Sequence, residues 1–262
     1  MEYQNKEILV EKFPDGVAKV MINRPPLNIV SLALLDEMYE TLKKVNDDAD
    51  IRVVVLCASG TRAFCVGSDV KEFPSVRDNV AEKKHRRENE AFCLLEQIRQ
   101  PVIAALEGHV VGGGMEMITA CDIRIAGRSA AFSLPEVNLG VVPCSGALYR
   151  LPKLIGLGRA YELMYMAETI SAEEAYRIGL VNRVVEDGNS LNEAMNMAQI
   201  IASKSALSIF EIKRQARTQM MKQNEENFDS TLTMANRVFL SSGCEEGINA
   251  FFEKRQPNFH KK

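Results

Sequence analysis

The stretch VVGGGMEMITACD, Val110 to Asp122, sets three consecutive glycines before an apolar segment that carries one glutamate. It follows PVIAALEG (101–108), a continuous apolar run of the kind that forms a strand buried on both faces. It runs into DIRIAG (122–127), which reads as another strand. Strand, glycine turn, helix and strand in this order are the unit of an α/β core. Glu116 falls on the first turn of the helix and is the only formal charge between Glu107 and Asp122.

The flanking sequence repeats the pattern. EILVEK (7–12) and VAKVMI (17–22) have strand character, and the turn chemistry of Phe13-Pro14-Asp15-Gly16 between them predicts a hairpin. NRPPLNIVS (23–31) is not helical through its prolines. Leu32 to Val45 has helical apolar spacing and follows Ser31, a good N-cap. RVVVLCA (52–58) is a second buried strand, followed by the loop SGTRAFCVGSD (59–69) and a polar helical stretch over 79–98. Within the last, the charges of EKKHRRENE (82–90) nearly cancel, which predicts a solvated helix face with His85 on the surface. From Leu148 onward the pattern turns helical, over 157–168, 171–178, 189–203, 205–222, 224–241 and 244–253. The expectation is an α/β core over 1–195 and a helical region over 196–262 whose apolar surface packs on a partner subunit.

Composition narrows the function classes. The 262 residues are 46% apolar and 26% charged with a net charge of −3, so the chain as a whole is not drawn to nucleic acid or anionic membranes. No run approaches the ~20 apolar residues of a membrane helix, and the N-terminus has no signal-peptide core, so a cytoplasmic protein is expected. Six cysteines without a CxxC pair and three histidines give no metal-ligand spacing; free, buried thiols are expected instead.

The glycines admit two chemistries. Helix-start N–H groups bind anions, but neither GK[ST] nor GxGxxG is present, so a phosphate cradle is poorly supported. The alternative is an oxyanion hole, in which N–H groups stabilise negative charge developing on a carbonyl oxygen. One donor is rarely enough, and AFCVGSD (63–69), another glycine-bearing loop after a buried strand, can face the first and supply the second.

These segments resemble the enoyl-CoA hydratase/isomerase, or crotonase, family. The matching stretches are NRPPLN (23–28), AFCVGSDVKEF (63–73), EGHVVGGGMEMITACDIRIAG (107–127), AFSLPEVNLGVVP (131–143), ISAEEAYRIGLVNRVV (170–185) and EGINAFFEKRQPNF (246–259), in the family's order over nearly the whole chain. The resemblance implies a spiral of ββα units followed by a helical oligomerisation region, assembled as a homotrimer or homohexamer. It implies Gly113 and Val66 as the oxyanion donors and Glu116 and Glu136 as the catalytic carboxylates. It also implies a substrate-binding set of Val66, Gly67, Ser68, Asp69, Gly113 and Lys254, the last meeting a phosphate of coenzyme A. The reaction implied is addition of water to an α,β-unsaturated acyl-CoA thioester, or its removal. Two glutamates around one water supply base and acid, and no cofactor is required beyond the coenzyme A of the substrate.

Other residues receive milder readings. His109 is expected at a pocket wall or in the core, Cys65 in packing, Asp69 as an N-cap, and Cys144 near the acyl pocket. VVPCSGALYRL (141–151) departs from the family pattern: Tyr149 stands where glutamine is expected, and Cys144-Ser145 replace smaller residues. The departure leaves the acyl group open. Competing readings are an enoyl-CoA double-bond isomerase, a family decarboxylase or cyclic dienoyl-CoA hydratase, and a non-catalytic acyl-CoA or RNA-binding protein. Retention of both glutamates disfavours the isomerase. A charge-balanced basic cluster and the absence of Trp disfavour RNA.

Overall fold

A computed structural model describes residues 7–259, the side chains of 218–230 excepted. Among the described residues, ten strands form two sheets: β1 (Ile8–Lys12), β2 (Val17–Ile22), β3 (Val53–Ala58), β4 (Ala63–Cys65), β5 (Val102–Leu106), β6 (His109–Val111), β7 (Ile123–Gly127), β8 (Ala131–Ser133), β9 (Ile170–Ser171) and β10 (Arg183–Val185). The larger sheet has the order β1-β2-β3-β5-β7-β10, and the smaller β4-β6-β8-β9. The predicted hairpin is present, with β1 antiparallel to β2 and Ile8 opposite Ile22. From β2 onward the larger sheet is parallel.

The helices are α1 (Leu32–Asp47), α2 (Phe73–Val76), α3 (Arg86–Gln97), α4 (Gly113–Thr119), α5 (Ala147–Ile155), α6 (Leu157–Met166), α7 (Ala172–Arg177), α8 (Ser190–Ala202), α9 (Ala206–Phe239) and α10 (Ser242–Glu253). Ser31 caps α1 as expected, its side chain accepting from Leu34 N at 3.1 Å.

Three times the chain gives one strand to the larger sheet and the next to the smaller: β3 then β4, β5 then β6, β7 then β8. Helical segments separate the pairs, which makes a spiral of ββα units. Strands β4, β6 and β8 are parallel neighbours, so their C-terminal ends lie side by side. The loops 66–69, 112–113 and 134–136 leave from those ends, and this register assembles the site.

Apolar side chains between the larger sheet, α1 and α3 form the main core, including Leu34, Leu42, Val54, Leu56, Phe92 and Leu95. The opposite face of the sheet is covered by Ala194, Ala198 and Ala202 of α8. Helix α8 runs across the expected 195/196 boundary and packs on the sheet. A third cluster joins Phe73, Val76 and Val80 to Val141, Cys144, Phe239 and Ile248, bringing α9 and α10 over the ends of the small-sheet loops.

Two expectations are corrected. The helices expected over 205–222 and 224–241 are one helix, α9, since no glycine or proline interrupts them. EKKHRRENE is not simply a solvated face. Lys84, His85, Glu88 and Asn89 are buried, whereas Glu82, Lys83, Arg86, Arg87 and Glu90 face outward. The buried residues continue the stripe of Ala81, Ala91, Phe92 and Leu95 at three- and four-residue spacing.

Candidate active site

The three glycines each meet a different demand. Gly112 takes φ 54° and ψ −124°, a backbone state that side-chain-bearing residues rarely adopt. Its N–H donates to Ser133 O at 3.0 Å, tying the end of β6 to the end of β8. Gly113 begins α4. A Cβ there would sit 3.0 Å from Glu88 Oε1 and 3.7 Å from Ser68 Oγ. A Cβ on Gly114 would lie 2.4 Å from Cys65 O, so only glycine lets α4 pack on β4.

The two glycine loops face one another as the sequence implied. Gly67 has φ +83°, and a Cβ there would fall 2.9 Å from Gly113 N. The N–H of Val66, an expected donor, is engaged within the structure. Val66 donates its N–H to Leu27 O at 3.1 Å. Ser68 instead forms an isolated parallel bridge with Val30, in which Val30 N reaches Gly67 O and Asp69 N reaches Val30 O. That geometry turns the N–H of Ser68 itself away from Val30. Among the described residues no backbone acceptor takes the N–H of Ser68 or of Gly113. Asp69 is the expected cap, its carboxylate accepting from Lys71 N at 3.0 Å.

Glu116 is 3% exposed and lies on the first turn of α4. Its Oε1 accepts from Ser145 N at 2.7 Å and Ala147 N at 3.1 Å, both in the segment that departs from the family pattern. Glu136 opens the short 3-10 turn Glu136–Leu139 after β8. Its Oε1 lies 3.1 Å from where a Cβ on Gly112 would stand, and its Oε2 is buried with no hydrogen-bond partner. The register of β6 and β8 therefore brings Glu116 and Glu136 together around the glycine turn. Burial first, then the neighbouring Glu136 and Glu88 carboxylates, raise Glu116 well above its usual range. Burial, with Glu88 nearby, pushes Glu136 up to about 7. Two like charges at close range cannot both ionise freely, so the pair retains a proton near neutrality.

A third carboxylate stands beside them. Glu88 of α3 is 1% exposed and accepts from Ser145 Oγ at 2.6 Å and Ser68 Oγ at 3.2 Å. Lys84 Nζ and His85 Nδ1 each lie 3.6 Å from it. Burial pushes its pKa upward, but Lys84, His85 and the Ser145 hydroxyl outweigh burial and hold it at about 2. Neither Glu88 nor Ser145 was among the expected site residues. The signal was present: Lys84 and Glu88 fall on the apolar stripe of their helix, where an unpaired charge is too costly to be placed by chance.

The remaining expected residues are dispersed. Lys254 is exposed at the C-cap of α10 with φ 54°, and no described contact joins it to the glycine loops. His109 is exposed on β6, neither core nor packed. Cys65 and Cys144 are buried as free thiols. Burial pushes Cys65 up to about 12 and also raises Cys144, so neither is a thiolate at neutral pH.

Residues 12–262 match the family described as Enoyl-CoA hydratase/isomerase. The chain belongs to that family. It is 36% identical over 260 residues to a crotonyl-CoA hydratase of Syntrophomonas wolfei subsp. wolfei, covering 99% of each chain. It is 33% identical to a peroxisomal Delta(3,5)-Delta(2,4)-dienoyl-CoA isomerase of Arabidopsis thaliana, covering 99% of this chain and 98% of the relative. Among solved structures, a carnitinyl-CoA hydratase from Mycobacterium avium superposes with a TM-score of 0.88 at 30% identity, over 99% of this chain and all of the other. The fold is thus the crotonase fold of these relatives.

Proposed function

We propose that this protein is a hydro-lyase that adds water to an α,β-unsaturated acyl-CoA thioester, or removes it, with Glu116 and Glu136 as the acid–base pair. The observation that carries the reading is the convergence of Glu116 and Glu136, both with raised pKa, beside two backbone N–H groups that take no backbone acceptor. The thioester oxygen binds between Ser68 N–H and Gly113 N–H, which stabilise the enolate formed as water attacks the β-carbon. The pair shares one proton; in the reactive form it sits on Glu136, and Glu116, oriented by two N–H donors at its Oε1, takes the proton from water. Glu136, with its Oε2 bare, delivers a proton to the α-carbon. The chemistry requires no metal and no redox cofactor.

Residues 66–69 and Gly113 carry the thioester. Lys254 approaches a coenzyme A phosphate, supplied across an interface in a trimer or a dimer of trimers. Exposed apolar side chains of α6, α9 and α10 support such an assembly. Six free cysteines, five of them buried, fit a cytoplasmic enzyme.

Glu116→Gln and Glu136→Gln test the reading. General acid–base groups contribute ~10²–10⁴-fold, so each change lowers kcat by that much on crotonyl-CoA. The double variant is little worse than the weaker single, because the two act as a unit. Product formed in ¹⁸O-labelled water carries the label. Double-bond migration without label, with one Gln variant near full rate, would establish an isomerase instead.

A further inference from the structure

We propose that Glu88 is a positioning residue, a third buried carboxylate that ties the oxyanion loop to the Glu116 loop and tunes the Glu116–Glu136 pair. The proposal rests on the hydratase reading for its kinetic arm only. Its basis is that the two oxygens of Glu88 serve the two halves of the site. Oε1 accepts from Ser68 Oγ at 3.2 Å and lies against Gly113, the two residues assigned to the oxyanion hole. Oε2 accepts from Ser145 Oγ at 2.6 Å, while the N–H of the same Ser145 holds Glu116 Oε1 at 2.7 Å. Ser145 is thus a single-residue relay between two carboxylates. Next to Glu88, Asn89 donates to Cys144 O at 2.9 Å and accepts from Tyr149 OH at 3.1 Å. Cys144, Ser145 and Tyr149 are the positions at which the chain leaves the family pattern, and all three meet α3 at Glu88 or Asn89. The departure and the buried charge are therefore one structural feature.

The groups facing Glu88 fix the sign of its effect. On its own helical segment are Lys84 and His85; from α4 comes Glu116, from the turn after β8 Glu136, and from the 144–145 segment the Cys144 thiol and Ser145 hydroxyl. The Cys65 thiol lies behind, on β4. Farther along α3, Glu96 is neutralised by Arg150 and by Arg217 of α9. On the α1 side, Asp36 pairs with Arg87 at the surface. Lys84 offsets part of the Glu88 charge but has no hydrogen-bond partner for its Nζ. Glu88 is held ionised at about 2, and it is among the causes that raise both Glu116 and Glu136. Removing its charge moves both titrations of the pair to lower pH.

The test uses Glu88→Gln, Glu88→Asp and Ser145→Ala in the full chain. Carboxyl titration by NMR of side-chain ¹³C-labelled glutamate, without substrate, reads the pair independently of any activity. In Glu88→Gln the pair's titration falls by about one pH unit. Glu88→Asp keeps the charge and the wild-type titration but shortens the reach. The pH profile of kcat on crotonyl-CoA follows, with the basic limb of Glu88→Gln displaced to lower pH. Ser145→Ala keeps the N–H on Glu116 and removes the hydroxyl that donates to Glu88 at 2.6 Å and meets His85 Nδ1 at 3.4 Å. It lowers kcat by roughly 10–100-fold with KM little changed, as misplacement of a reacting group does. A residue that merely fills the core would leave the titration in place. An unmoved titration in Glu88→Gln overturns the proposal, as does wild-type kcat in Ser145→Ala should Glu88→Gln not fold. A wild type that hydrates no enoyl-CoA removes the reaction reading alone, and the titration still decides the role of Glu88.

Discussion

Glu136 shows how function and stability part company in one side chain. Its Oε2 is buried without a partner, and burial pushes its pKa from the ordinary 4.5 to about 7. A carboxyl whose folded-state pKa is raised favours folding while protonated. Its contribution is fully present below about pH 4.5 and is lost as pH rises through about 7. Glu136→Gln removes the charge and leaves the shape. It is expected to raise stability at pH 8 by on the order of 1–2 kcal/mol, with no gain at pH 4.5, while activity collapses. Urea denaturation at the two pH values measures this, and equal stability at pH 8 would contradict the buried charge. Glu88 has the opposite sign. Its pKa is held down at about 2, so its contribution is present above about 4.5 and is lost as pH falls through about 2. Glu88→Gln should therefore destabilise the protein at pH 7, and the deficit should vanish in strong acid.

At the scale of elements, α10 braces the Glu136–Leu139 turn by backbone contact. A Cβ on Gly247 would lie 2.4 Å from Leu139 C, within the turn that begins at Glu136. Gly140, φ 65°, closes that turn, and a Cβ there would meet Gly243 O at 2.4 Å. Gly247→Ala must push the helix and turn apart, because the obstacle is backbone rather than a flexible side-chain tip. Overpacking of this kind costs about 1–3 kcal/mol. We expect a lowered Tm together with a kcat loss of at least roughly tenfold, since Glu136 moves with its turn. Wild-type kcat with lowered Tm would mean that the helix yields and the turn does not. This bracing was not legible in the sequence, because the contact spans more than a hundred positions and the glycines of SSGCEEGINA (241–250) carry no periodic signal. The long elements were legible: the β1–β2 hairpin, α1 with its Ser31 cap and the buried strands β3 and β5 have enough residues to display a period. Strands β4, β6 and β8 have three residues each, too few for alternation, so the second sheet that assembles the site had no trace of its own. The glycine loops and Glu116 were legible from their place after buried strands, whereas Glu136 and the individual donors were read from the family resemblance. The engagement of the Val66 N–H by Leu27 O was not legible, because hydrogen-bond direction within a loop is fixed by its neighbours.

For the molecule as a whole, the question is what covers its apolar exterior. On α6, Leu157, Tyr161 and Tyr165 recur every four residues and are 52%, 42% and 66% exposed, with the two tyrosine rings stacked 5.1 Å apart. Leu207 and Ile212 of α9, and Phe251 and Phe252 of α10, are also half or more exposed. Large aromatic side chains on several helices outside the sheet core form a surface that a second copy of the chain can bury. Stable assemblies bury roughly 800 Å² per partner. The expected result is a trimer or hexamer by light scattering at micromolar concentration. Tyr161→Glu with Tyr165→Glu should shift the mass toward smaller species if α6 lies in a subunit contact, since burying two carboxylates opposes association. The same variant carries a second consequence. If Lys254 reaches coenzyme A across an interface, dissociation raises KM for the thioester more than it lowers kcat. Monomeric wild-type protein would remove the assembly. An intact oligomer with unchanged KM in the double variant would place α6 outside the contact.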